Sequence, residues 1–166
     1  LGAKVMRVVG SSLAFRNEPH EPQIKALVDL FREPVKMAED RGIKLAMENH
    51  FDFEMDEIGE IVERIGSDAF GITFDPKEFA EKLGKYIIAT HTKDVMPIYG
   101  GNPKDWYFFA CVPVGKGCIN MPELAETLQK QNYTGLFAIE IDYPHPDYPD
   151  ELSAVKESVK YLKKLK

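Results

Sequence analysis

The sequence predicts an α/β fold in which short parallel strands alternate with helices in a single domain, residues 1–166. Short runs of β-branched and other apolar residues are each separated from the next by a helical pattern. Strands that alternate with helices form parallel sheets with right-handed crossovers. A chain that is 44% hydrophobic and 29% charged is typical of a globular domain rather than a disordered one.

The predicted strands, in chain order, are Lys4–Val9, Ile43–Glu48, Phe70–Phe74, Tyr86–His91 and Leu136–Ile141. The predicted helices are Pro22–Asp40, Met55–Ile65, Glu78–Leu83, Pro122–Lys130 and Glu151–Lys164. Asn120, followed by Pro122 and Glu123, is typical of a capped helix start. Pro34 is expected to kink or split the first helix, because proline lacks an N–H and its ring clashes with the preceding turn.

Two architectures fit this alternation, an open doubly wound sheet and a barrel. A complete barrel of eight strand–helix units takes ~250 residues. Five units in 166 residues match the length per unit of a barrel from which three units are absent. No G-x-G-x-x-G fingerprint of a dinucleotide site follows a strand. Such a partial barrel would leave Lys4–Val9 with an exposed edge unless other segments cover it.

The composition and charge of the chain restrict the kinds of binding partner and the cellular compartment that we expect. A formal net charge of -6 disfavours nucleic-acid binding. No apolar run reaches the ~18 residues of a membrane span, and no leader peptide is visible, so we expect a cytoplasmic protein. Cys111 and Cys118 are expected to be free thiols rather than a disulfide, and neither has the spacing of a zinc site. Whether the chain forms a homo-oligomer is left open.

Four predicted strands end in the same way, with a small residue followed two positions later by a residue that can bind a metal. The pairs are Ala46 and Glu48, Thr73 and Asp75, Ala89 and His91, and Ala138 and Glu140. Residues two apart share a strand face, and in a barrel the C-terminal strand ends converge at the catalytic mouth. Converging carboxylates repel each other unless a cation lies between them. Taken singly, such an acid often caps a helix and such a histidine is often structural, but together they predict a site for Mn²⁺, Co²⁺, Mg²⁺ or Zn²⁺.

At these positions the sequence resembles the sugar phosphate isomerase/epimerase family of xylose-isomerase-like TIM barrels. The matching pieces are A-M-E-N-H at Ala46–His50, I-T-F-D at Ile72–Asp75, H-T-K-D at His91–Asp94 and V-P-V-G-K-G-C-I-N-M-P-E-L at Val112–Leu124. The opening L-G-A-K-V-M-R-V resembles that family's fourth strand, so the resemblance covers units four to eight of the (β/α)₈ barrel.

The resemblance implies a divalent metal held by Glu48, Asp75, His91 and Glu140. It also implies that the two glutamates are the acid and base of a ketose epimerase. One would remove the proton beside a carbonyl, and the other would return it to the opposite face of the resulting enediolate. The implied partner is a small sugar or another polyhydroxy ketone.

The candidate substrate-binding residues are His50, Glu78, Lys93, Lys116 and Trp106. Glu78 stands where the family often has His or Asn, and Lys116 where it often has Glu, so the sugar stays open. His50 could equally be structural, and a solvated lysine is an alternative for Lys116. Trp106 belongs to a long stretch, 95–117, which we interpret as a loop that forms a lid over the site or, alternatively, an aromatic cover of the rim.

Other functions fit the same fold. A dehydratase of an inositol-derived ketone would also abstract a proton beside a carbonyl, but would then expel water. A metal-dependent apurinic-site endonuclease would need more metal ligands and a basic face, which four histidines and a net charge of -6 disfavour. A non-catalytic barrel with a remnant site is the third alternative.

Overall fold

The computed structural model describes residues 2–48, 52–74, 77–99 and 109–165. Its strands are β1 Val5–Val9, β2 Lys44–Glu48, β3 Phe70–Phe74, β4 Ile87–Thr92, β5 Asp94–Pro97, β6 Phe109–Val112 and β7 Phe137–Ile139. Its α-helices are α1 His20–Glu39, α2 Met55–Ile65, α3 Lys77–Leu83, α4 Met121–Lys130 and α5 Glu151–Leu162.

Five strands form one parallel sheet in the order β1-β2-β3-β4-β7. The order follows the chain, as in successive units of a barrel, and the partial-barrel prediction is therefore confirmed. At one edge, β1 pairs with β2 alone among the described strands. Val5, Met6 and Val9 on this strand are exposed, which matches the expected open edge.

One face of the sheet packs against the helices. Leu45, Met47 and Ile72 point to that side and are at most 2% exposed. They join helix residues in one hydrophobic core, where the rings of Phe31 on α1 and Phe70 on β3 lie 5.0 Å apart between centroids. The predicted division of each strand into a bulky face and a small-residue face therefore explains which side the helices cover.

Pro34 does not split α1, which runs without interruption from His20 to Glu39, so that alternative was wrong, while a kink at this position stays a prediction. Phe31, Val35 and Ala38, on both sides of Pro34 in the sequence, are all buried and form one apolar stripe along the helix. The carbonyl that lost its hydrogen bond belongs to Leu30, whose side chain is exposed, so water can satisfy that oxygen. Burial of the stripe outweighs the local cost of the proline.

The stretch 95–117, interpreted as a lid loop or an aromatic cover of the rim, contains two short strands that the sequence analysis did not predict. Here β5 and β6 pair antiparallel, with Asp94 opposite Val112 and Pro97 opposite Phe109. These strands are only four residues long, too short for an alternation to stand out beside the aromatic segment between them. Residues 100–108, which include Trp106, lie outside the described residues, so the role as a lid or cover stays a prediction.

One buried carboxylate organises the turn that follows β6. Asp94 is 1% exposed, and its two oxygens accept backbone N–H bonds at 2.8–3.1 Å. The four donors are Val95, Gly115, Gly117 and Ile119. A side chain on Gly117 would place its Cβ 2.1 Å from Oδ1 of Asp94, so this turn requires glycine. Asp94 therefore fixes the turn against the end of β4.

Cys111 is buried, Cys118 is exposed, and both are free thiols. None of the helices in the described part of the chain combines the length and the apolar character that crossing a membrane would take.

Candidate metal centre

Three of the four predicted ligands come together at the C-terminal ends of the parallel strands. Glu48 is the last residue of β2, His91 lies in β4, and Glu140 follows β7. The strand register brings them to one place, because His91 is opposite Ala138 and the backbone N–H of Glu140 donates to the carbonyl of Thr92 at 3.2 Å. One ligand atom from each residue lies within 4.8 Å of the other two.

The imidazole of His91 lies between the two carboxylates. Its Nδ1 is 2.9 Å from Oε1 of Glu48 and 3.2 Å from Oε2 of Glu140. All three side chains are largely shielded from solvent, with exposed fractions of 17% for His91, 12% for Glu48 and 28% for Glu140. Shielding strengthens each electrostatic contact, because less water screens it.

These contacts shift the protonation of the cluster. The neighbouring Glu140, helped by Glu48, raises the pKa of His91 against the opposing effect of burial. His91 in turn, together with Lys93, lowers the pKa of Glu140 to about 2. The two carboxylates thus favour the protonated form of the His91 imidazole over the neutral form.

Each glutamate also contacts a basic side chain. Nε of Arg7, from β1, donates to Oε2 of Glu48. Nζ of Lys93, just beyond β4, lies 2.9 Å from Oε2 of Glu140 and 3.1 Å from Oδ2 of Asp142. Burial opposes a charge on Lys93, but Glu140 and Asp142 outweigh it and raise its pKa, so it is cationic at neutral pH.

The donor set fits a divalent cation. Oε2 of Glu140 is buried, and no donor among the described residues is aligned to give it a hydrogen bond, although two nitrogens lie near. A buried carboxylate oxygen with no hydrogen bond is costly to maintain, and a metal ion would satisfy it. Two carboxylates and one imidazole are ligands that Mn²⁺, Co²⁺, Zn²⁺ and Mg²⁺ accept.

Most of the other predicted site residues lie outside the part of the chain that the structure describes. Asp75, His50 and Trp106 lie outside the described residues. Glu78 is in α3, but its side chain is likewise outside the description. Lys116 is exposed on the turn that Asp94 holds.

Sequence reasoning missed Arg7 and Asp142. Arg7 interrupts the apolar run V-M-R-V-V and is the register partner of Ala46, so it shares the small-residue face. Asp142 lies two positions after Glu140 and continues the same alternation. Both signals were present, since a charged residue in a strand pattern usually has a partner across the sheet.

The family model described as xylose isomerase-like TIM barrel matches residues 1–165. The chain belongs to this family. Among the curated relatives, a protein of Methanocaldococcus jannaschii whose function is uncharacterised is 35% identical over 126 residues, 65% of this chain and 40% of that protein. A putative L-ribulose-5-phosphate 3-epimerase of Escherichia coli, SgbU, is 43% identical over 61 residues, 36% of this chain and 20% of that protein.

Solved structures share the fold of this family member. A xylose isomerase-like TIM barrel protein from Mycobacterium smegmatis, in complex with magnesium, has a TM-score of 0.73 and 18% identity, covering 99% of this chain and 61% of that one. A D-tagatose 3-epimerase-like protein has a TM-score of 0.66 and 28% identity, covering 98% and 61%. The chain thus spans about three-fifths of the length of these structures and 40% of its M. jannaschii relative.

Proposed function

We propose that this chain carries the catalytic machinery of a divalent-metal-dependent sugar isomerase or epimerase, which moves a proton at the carbon beside the carbonyl of a small polyhydroxy ketone. The observation that carries the proposal is the convergence of two carboxylates, Glu48 and Glu140, on the imidazole of His91 at the C-terminal strand ends. The similarity to a putative pentulose-phosphate epimerase and to a D-tagatose 3-epimerase-like protein supports this reaction class.

Glu48, His91 and Glu140 would hold the metal, together with Asp75, which the strand-end pattern adds to the set. The complex of a structural neighbour with magnesium supports a divalent ion at this type of site. When bound, the ion would polarise the substrate carbonyl and stabilise the negative charge that develops on its oxygen.

The two glutamates would be the acid and base. A base within reach of the carbon beside the carbonyl removes its proton, and inversion requires a second group to deliver a proton to the opposite face. Glu48 ends β2 and Glu140 follows β7, and both carboxylates reach Nδ1 of His91, so two candidate bases from different strands lie at one point. The low pKa of Glu140, about 2, keeps this carboxyl group ionised at neutral pH, the form in which it can bind a cation.

Lys93 would bind a substrate oxygen beside Glu140, because its ammonium group lies at the same point and keeps its charge. We retain Lys116, His50, Glu78 and Trp106 as further candidate substrate contacts from the sequence. Contacts of this kind decide which sugar binds, so the experiment below compares several ketoses.

The test is solvent exchange. The full chain, supplied with Mn²⁺, is incubated in D₂O with D-tagatose, L-ribulose and the 5-phosphate of L-ribulose, and products are followed by NMR. We expect deuterium at the carbon beside the carbonyl and appearance of the epimer, both abolished by a chelator. A dehydrated product would instead indicate the dehydratase, and neither exchange nor Mn²⁺ binding would refute the proposal.

A further inference from the structure

Asp142 has no part in the proposed ligand set, yet it is held at both of its carboxylate oxygens. Oδ2 accepts a hydrogen bond from Nζ of Lys93 at 3.1 Å, and Oδ1 accepts one from Sγ of Cys111 at 3.0 Å. Its side chain is 57% exposed, so packing does not fix its position. Two hydrogen bonds to two different elements, the end of β4 and strand β6, fix it instead.

Strand β6 also fixes the backbone around Asp142. The N–H of Cys111 donates to the carbonyl of Tyr143 at 2.6 Å, and the N–H of His145 donates to the carbonyl of Cys111 at 2.7 Å. Cys111 is 3% exposed, so its thiol has no room to turn toward solvent. The segment after Glu140 is therefore aligned with the hairpin, and the Asp142 carboxylate faces Lys93 as a result.

The contact between Lys93 and Glu140 differs from the contact between Lys93 and Asp142. Nζ lies 2.9 Å from Oε2 of Glu140, but that oxygen receives no aligned hydrogen bond from the described residues. Nζ does donate a well-directed hydrogen bond to Oδ2 of Asp142. Glu140 thus has a positive charge at short range, while Nζ lies off the direction in which it would donate to Oε2.

We infer that Asp142 is a positioning residue: its hydrogen bond to Nζ of Lys93 holds the ammonium group beside Glu140, but off the direction in which one of its three N–H groups would donate to Oε2, and so leaves that oxygen available. An available oxygen can bind a cation or accept a substrate proton, whereas one that accepts a strong ammonium hydrogen bond must first break it. The inference rests on the proposed function for the role of Glu140, but the hydrogen-bond arrangement can be tested without metal or substrate.

The first measurement uses the metal-free full chain. Asp142→Asn weakens the acceptor that holds Nζ of Lys93, and we expect the ammonium group to move into line with Oε2 of Glu140 and donate a hydrogen bond to it. The carboxyl ¹³C resonance of Glu140 would then shift, because that resonance responds to hydrogen bonds accepted by the group. Asp147→Asn is the matched control, since it removes the same charge from an exposed side chain on the same loop. An unmoved Glu140 resonance in Asp142→Asn would overturn the inference.

The second measurement is Mn²⁺ affinity by calorimetry in a double-mutant cycle with Lys93→Met. We expect Asp142→Asn to weaken binding by about 10-fold or more, as is typical for residues that orient a ligand. In the Lys93→Met background the same substitution should have little effect, because no ammonium group remains to redirect. An equal loss in both backgrounds would mean that Asp142 acts by its charge alone, against the inference.

These results separate the two proposals. If the wild-type chain bound no Mn²⁺ while Asp142→Asn still shifted the Glu140 resonance, the metal-dependent function would fail and the positioning role would stand. If wild type bound Mn²⁺ and Asp142→Asn bound it equally well, the positioning role would fail and the function would stand.

Discussion

Nδ1 of His91 lies 2.9 Å from Oε1 of Glu48, although the two residues are 43 positions apart in the sequence and on strands separated by β3. The intervening strand places Thr73 opposite Glu48 and Ala89 opposite Thr73. Small side chains on this inner face leave room for the longer glutamate and histidine side chains to meet above β3. The contact therefore depends on the small-residue face as much as on the ligands.

Replacement of the glutamates should separate proton exchange from epimerisation. In Glu48→Gln or Glu140→Gln, the amide keeps the shape of the side chain but cannot act as a base. We expect epimerisation to stop in both variants, while one of them still exchanges deuterium through the remaining glutamate. NMR of substrate in D₂O measures both. Glu157→Gln, on the exposed side of α5, should behave as wild type, and full epimerase activity in both site variants would exclude the glutamates as bases.

Removal of the imidazole should weaken metal binding. In His91→Ala one of three converging donors is lost, and the carboxylates of Glu48 and Glu140 also lose the group between them. We expect Mn²⁺ affinity to fall at least 10-fold, since replacing residues that only orient a metal ligand often lowers metal affinity by about that much. Calorimetric titration measures the change. His20→Gln, a histidine that contacts Glu57 and not this cluster, provides the comparison, and equal affinities would contradict a role for His91 as ligand.

Replacement of Asp94 by asparagine should destabilise the turn that Asp94 holds. Asp94→Asn replaces one accepting oxygen with an N–H₂ group that faces backbone donors, and leaves at least one of them unpaired. We expect the free energy of unfolding to fall by about 1–3 kcal/mol, the usual cost of an unsatisfied buried polar group. Urea unfolding measures it. Asp68→Asn, an exposed aspartate, should change stability by less than about 0.5 kcal/mol.

Stability should depend on pH through His20. The carbonyl of Arg16 and the carboxylate of Glu57 raise the pKa of His20, whose ring lies 2.8 Å from each acceptor. Because the folded pKa lies above the unfolded value of 6.5, the contribution is fully present below pH 6.5 and is lost as pH rises through the folded pKa. Urea unfolding of wild type and His20→Gln should differ more at pH 5.5 than at pH 8.5, and a larger difference at pH 8.5 would contradict this sign.

The position of the candidate metal site could largely be predicted from the alternation of side chains along the strands. In parallel strands with a bulky face and a small-residue face, the alternation decides which side chains point inward. It therefore predicted that Glu48, His91 and Glu140 lie at one end of the sheet. The match to the xylose isomerase-like TIM barrel family agrees with this architecture.

Other features could not be read from periodicity. The β5–β6 pair consists of strands only four residues long, which are too short to show a period. The continuity of α1 through Pro34 depends on burial of the apolar stripe of this helix in the assembled core. The roles of Arg7 and Asp142 depend on which partner lies across the sheet or on the hairpin. These are tertiary contacts, which local sequence patterns do not encode.

The pairing of β7 with β4 has a consequence for the integrity of the site. Thr90 and Leu136, joined by a hydrogen bond of 2.9 Å, are 46 residues apart, a wider separation than between any other neighbouring strands of this sheet. Closure entropy rises only slowly with loop length, but of the strand pairings in this sheet this one is the least local in sequence. The third candidate ligand, Glu140, therefore depends on that pairing, and a change that loosens β7 from β4 would displace Glu140 while Glu48 and His91 keep their contact.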